Sequence, residues 1–180
     1  MYLRTIFVIL VVVGPIAFGF PGGVPMSACG SLLPRHGRNT PMDGPAPYIV
    51  IVDAISYVPN QIVNVLLAGS SLWPFEGFML QARNSASESI VGEFITTPNG
   101  TKVLECSGGP TTMTHASNDK RIWDVFSWRA PSDNVGDIYF TATMLRSFNK
   151  YWVDMRSSVI SGPASADGDT VQGIIVGALG

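Results

Sequence analysis

Residues 121–143 alternate in side-chain character with a period of two on either side of a polar break. Ile122, Phe126 and Trp128 fall on one side of the first half, with Trp123 and Val125 on the other. In the second half Ile138, Phe140, Ala142 and Met144 oppose Tyr139, Thr141 and Thr143. Successive side chains leave opposite faces of a β-strand, so this period marks strands. Ala130-Pro131-Ser132-Asp133-Asn134 supplies turn chemistry between them. The stretch therefore predicts a hairpin of two strands, apolar on both sides, central to a sheet that packs on a second sheet.

The remainder fits that frame. The chain has 180 residues, 46% apolar and only 13% charged, enough for one ordered domain with a substantial core. Its 19 Gly and 13 Pro are spread along the sequence, which suits short strands and turns better than long helices. Strands are predicted at residues 48–55, 62–68, 78–83, 91–96, 102–106, 121–128, 136–145 and 151–156. About eight strands at this spacing make an all-β antiparallel sandwich. Pro59-Asn60 fits the centre of a type II turn, and Asn99-Gly100 signals a hairpin between the fourth and fifth strands. Residues 20–47 read as an irregular Pro/Gly/Ser arm lying over the sandwich and pinned at Cys29, and residues 161–180 as a flexible tail.

The N-terminus has the layout of a secretory signal peptide, residues 1–19. Arg4 carries the charge, residues 6–13 are apolar, and Ala17 and Gly19 fit cleavage before Phe20. The rival reading, a membrane anchor, needs a longer unbroken apolar run. The expected product is an exported, extracellular protein without stable membrane insertion. In an oxidising compartment the two cysteines, Cys29 and Cys106, invite a disulfide; the alternative is two buried thiols. The formal charge is −2, and removing Arg4 leaves 10 basic against 13 acidic residues, or −3. With no basic cluster, nucleic acid is excluded as a main ligand.

Catalytic constellations are absent from the sequence: no phosphate loop, HExxH pair, GxSxG elbow or CxxC. The two histidines, His36 and His115, lack metal-ligand spacing and are expected to fix loops by bonding backbone groups. Asp124, Asp133 and Asp137 read as solvated positions rather than an acid–base pair. Trp73, Phe75, Tyr151 and Trp152 are expected mainly in core or edge packing, with an exposed sugar- or lipid-binding patch as the alternative. Asn99-Gly100-Thr101 is an N-glycosylation sequon.

An ordered succession of motifs resembles the reelin (reeler) domain family. It opens with Pro25-Met26-Ser27-Ala28-Cys29 and Leu33-Pro34-Arg35-His36-Gly37, then Phe75-Glu76-Gly77-Phe78-Met79-Leu80-Gln81-Ala82-Arg83. Val91-Gly92-Glu93-Phe94, Leu104-Glu105-Cys106, Thr114-His115-Ala116-Ser117, Trp128-Arg129-Ala130-Pro131 and Phe148-Asn149-Lys150-Tyr151-Trp152-Val153 follow. The match covers residues 20–160. It implies an immunoglobulin-like β-sandwich, supports a Cys29–Cys106 disulfide, and brings no catalytic residues. Asn60 departs from a glycine common at that turn, which Asn tolerates.

A single domain of this kind behind a signal peptide is similar to the secreted insect defence branch of the family. That implies a non-catalytic, cofactor-free innate-immunity protein meeting microbial surface components or extracellular glycans and matrix. The alternatives are a matrix or structural interaction module, or the N-terminal fragment of a ferric-chelate reductase-like membrane protein. The candidate ligand contacts are Trp73 and Phe75 in one loop and His115, Lys120 and Arg121 in another.

Overall fold

The structure, a computed structural model, describes residues 24–34 and 36–164. The signal peptide with its cleavage point, and the tail beyond residue 164, lie outside the described residues.

Nine strands build two antiparallel sheets: β1 (Ile49–Val52), β2 (Ile62–Ala68), β3 (Gly77–Asn84), β4 (Glu93–Phe94), β5 (Thr101–Leu104), β6 (Thr112–His115), β7 (Trp123–Arg129), β8 (Ile138–Ser147) and β9 (Lys150–Arg156). The first sheet runs β1-β2-β7-β4 and the second β5-β6-β3-β8-β9. The sandwich is as expected, with one strand more. The extra strand, β6, is Thr-Met-Thr-His, which has none of the apolar alternation that marks a strand.

The inward faces follow the alternation. Val63, Val65 and Leu67 of β2, Phe126 and Trp128 of β7, and Ile138, Phe140, Ala142 and Met144 of β8 are all fully buried. Burying a side chain of this size is worth about 1.5–3 kcal/mol against leaving it in water. Trp128 meets Phe140 edge-on across the sandwich, with centroids 5.2 Å apart, and gives its indole N–H to Val91 O at 3.1 Å. Gly92 lies against that indole at φ +66°, where a Cβ would come within 2.1 Å of Trp128 Cζ2. Both the backbone and the space demand glycine there.

Two expected hairpins are instead crossings between sheets. β7 pairs with β2 and β4, whereas β8 pairs with β3 and β9. The segment between them carries the chain from one layer to the other, so Trp128 and Phe140 face each other rather than lying side by side. Likewise β4 pairs with β7 and β5 with β6, so the Asn99-Gly100 turn also joins the two sheets. Turn chemistry reverses a chain; it does not specify which partner the next strand finds.

The arm does lie over the sandwich. A short 3-10 helix, Met26–Ala28, leads to Cys29, which is bonded to Cys106 with Cα atoms 5.5 Å apart. The arm supplies carbonyls to polar side chains of the second sheet's outer face: Gln81 Nε2 donates to Cys29 O at 2.9 Å and Thr143 Oγ1 to Leu32 O at 2.7 Å. Further on, His36 stacks on Phe148 at 4.1 Å, with Nδ1 2.6 Å from Phe148 O, and the Tyr151 hydroxyl donates to Asn39 O. At the far end, residues just past Ile160 still bond to the sandwich: Ser161 N donates to Ile55 O and Gly162 N to Asp137 Oδ1, both at 2.9 Å.

Candidate functional site

The two loops singled out in the sequence are joined. Phe75 N donates to Arg121 O at 2.8 Å and Arg121 N to Phe75 O at 2.9 Å. Arg121 Nη2 donates to Asn99 O at 3.0 Å, and Ala116 N to Gly100 O at 2.7 Å. Residues far apart in the chain thus share one end of the sandwich, with Asn99 exposed on it.

Not all of the candidates are accessible there. Phe75 is fully buried, edge-on to Phe78 and Tyr48, so it is a core residue and not a ligand contact. An aromatic ring in this loop gains more from the sandwich core than from water. His115 closes β6 and is 8% exposed, with Nδ1 3.1 Å from both Phe78 O and Phe78 N. Burial, partly opposed by the Phe78 carbonyl, holds its imidazole below the ordinary histidine range, and Lys102, Arg121 and His36 push the same way as burial. Both histidines therefore bond backbone groups, as expected. The Arg121 guanidinium is also engaged: Nη1 sits 2.9 Å from Asp124 Oδ2 in a largely buried pair. Burial raises the Asp124 carboxyl, and Arg121 opposes that rise. Arg121 therefore ties loops together and has little capacity left for a ligand. Asp124, read as solvated, is half-buried by this pairing.

Trp73 and Lys120 remain exposed. Around them stand residues that sequence reasoning missed. The Arg146 guanidinium lies 4.4 Å over the Trp73 ring and donates to Leu72 O at 2.7 Å. Leu72, Ile122 and Trp123 are exposed by 78%, 46% and 60%. Trp123 pairs across the sheet with Ala68, and Ala68 with Ile49; in the next row of that face Val125, Leu66 and Ile51 line up. The outer face of the first sheet is thus an apolar surface running into the aromatic, cationic end. The signal was present in the alternation of β7, where Trp123 and Val125 read as a second packed face but are open. Tyr151 and Trp152, in contrast, are core residues.

No group of three or more His, Cys, Asp or Glu among the described residues could hold a metal ion. No helix of the described residues is long and apolar enough to cross a membrane.

The family model described as the Reeler domain matches residues 27–167. The chain is 33% identical over 159 residues to the protein named "Putative ferric-chelate reductase 1" of Danio rerio, an alignment that covers 87% of this chain but 27% of that protein. It is 30% identical over 143 residues to the protein named "Putative defense protein 3" of Antheraea mylitta, covering 79% of this chain and 86% of the relative. Among solved structures, a human F-spondin reeler domain superposes with a TM-score of 0.58 at 20% identity, covering 75% of this chain and 99% of that one, a likeness of fold. The model match over most of the chain, on a sandwich of this architecture, means that the chain belongs to the reeler domain family.

Proposed function

We propose that this chain acts as an extracellular, non-catalytic defence protein that binds microbial surfaces through the end carrying Trp73 and Lys120. The reading rests on one observation above the others: the exposed pair Leu72 and Trp73, with Arg146 over the Trp73 ring, lies in a loop bonded through Phe75 and Gly69 to the segment that carries exposed Lys120, Ile122 and Trp123. Apolar side chains next to cations suit amphiphilic, anionic envelope components, in which acyl or ring surface adjoins phosphate or carboxylate. Two features support the defence reading: similarity along most of the length of insect defence proteins, and a disulfide-tied fold. The chain's small net negative charge gives no long-range attraction, so binding depends on this local patch. In the same reading Asn99, exposed at this end, carries a glycan.

The second reading is a reeler module at the head of a longer protein, favoured by similarity to 27% of the zebrafish reductase-named relative. Co-sedimentation of purified protein with bacteria and isolated envelope components at physiological salt tests the defence reading. Trp73→Ala and Lys120→Ala are each expected to weaken binding by about 1 kcal/mol or more, roughly fivefold. Absence of binding to every microbial surface, with saturable binding to host matrix, would replace the defence reading.

A further inference from the structure

Among the described residues four other than glycine take a left-handed backbone: Leu32 (φ 56°), Asn60 (φ 61°), Glu88 (φ 58°) and Asp154 (φ 53°). Asn60 belongs to the expected turn. The other three line one open depression of about 200 Å3 on the outer face of the second sheet. Left-handed conformations cost an ordinary side chain free energy and persist only where the surroundings hold them. Leu32 comes from the arm, Glu88 from the loop after β3 and Asp154 from β9, so three separate irregularities converge on one place.

The chemistry of the lining is specific. Its charges cancel, Arg83 and Arg156 against Glu88 and Asp154. Arg83 is committed internally, to Gln81 Oε1 at 2.8 Å, Gly30 O at 2.8 Å and Glu88 O at 3.3 Å. Arg156 is not. Its guanidinium lies 4.5 Å over the Tyr139 ring, with Nε 2.7 Å from Asp154 Oδ1 and Nη1 3.8 Å from Glu88 Oε1. The Tyr139 hydroxyl donates to Glu88 Oε2. Asp154 Oδ2 and Arg156 Nη2 make no hydrogen bond among the described residues, and Glu88 Oε1 has only the long contact to Arg156. All three belong to side chains that are about half exposed. Beneath them Thr141, 3% exposed, also lines the depression, and its Oγ1 has no partner. Buried hydroxyls are ordinarily paired. Leu33 and Val153 give the rim an apolar side.

We propose that this depression binds a neutral saccharide, on the scale of one or two pyranose rings. Two carboxylates with oxygens to spare, held beside the unbonded Nη2 of Arg156, match vicinal hydroxyls, each of which donates and accepts. The apolar rim suits the C–H face of a ring, and the cancelled charge favours neither anion nor cation. The volume is below that of sites for drug-sized ligands. The site shares no residue with the Trp73 and Lys120 end and stands independently of microbial binding. Such a sugar could belong to a bacterial envelope or to an extracellular-matrix glycan.

The test is amide NMR titration of the disulfide-bonded protein with methyl glycosides of glucose, galactose, mannose and N-acetylglucosamine. Binding is expected to shift the amides of Glu88 and Val153 to Arg156. Asp154→Gly and Glu88→Gln should each weaken it about tenfold or more. Asp154→Gly should leave the thermal midpoint unchanged or raise it, because glycine takes positive φ without strain. Asn60→Gly, the control, should leave affinity unchanged. Competition of the bound glycoside with purified peptidoglycan or with a matrix polysaccharide then assigns the source. Failure of all four glycosides to bind the unmodified protein, or unchanged affinity in both carboxylate variants, would overturn the assignment. Bacterial co-sedimentation that survives Asp154→Gly while glycoside binding is lost would support a site separate from the Trp73 end.

Discussion

The two sheets turn outer faces of opposite character to their surroundings. The second sheet's outer face is polar yet buried: Gln81, Thr112, Thr114, Thr141 and Thr143 are each no more than 3% exposed. The first sheet's outer face carries Ile49, Ile51, Trp123 and Val125, which are 43–60% exposed. The arm accounts for the difference. Its irregular backbone offers carbonyls, including those of Cys29, Gly30 and Leu32, which polar side chains can meet and apolar ones cannot. An arm without regular structure must have its own polar groups satisfied if it is to be buried. A threonine- and glutamine-bearing face is thus a suitable floor for it. Among the described residues the bare face has no such cover, which leaves its apolar side chains exposed.

The largest expected break in this contrast is at the disulfide. Replacing Cys29 and Cys106 by serine should cost about 2–4 kcal/mol in urea unfolding and open the arm to limited proteolysis. Unchanged stability with a protected arm would show that the carbonyl contacts alone hold it.

A smaller effect concerns His115. Its imidazole is held below the ordinary value of 6.5 chiefly by burial, so the unfolded chain takes up a proton before the folded one does. The contribution to stability is therefore complete above pH 6.5 and is lost as pH falls from there through the lowered folded value. A progressive loss of stability is expected over that window. His115→Phe should flatten it, and the His115 ring resonances should titrate below those of a free histidine. A ring that titrates at or above 6.5 would remove the prediction.

The smallest effect belongs to the bare face. Trp123→Ser should change stability by no more than about 0.5 kcal/mol, while lowering the fluorescence of a bound hydrophobic dye. A cost of about 2 kcal/mol or more would mean that this face is packed in solution.

Strand positions and inward faces were legible because burial against a second layer imposes a local period of two, plain in β2, β7 and β8. The turn at Asn60, with its φ of 61°, was legible for the same local reason. The pair Cys29–Cys106 followed from compartment and family. Local pattern does not determine partners, and so the crossings after β4 and β7 read as hairpins. It also does not show what covers a face. β6 escaped notice because its Thr-Met-Thr-His side chains are buried on both sides, in part beneath the arm, and Trp123 and Val125 looked packed because nothing in their own strand says whether a layer lies beyond them. The same limit applies to the sites. Composition alone nominated Phe75 and Arg121, but long-range packing buried the first ring and paired the second charge with Asp124. The depression around Asp154 is assembled from the arm, the loop after β3, and β8 and β9. Its geometry exists only once those segments have met, because no one of them carries enough of the lining to be recognised alone.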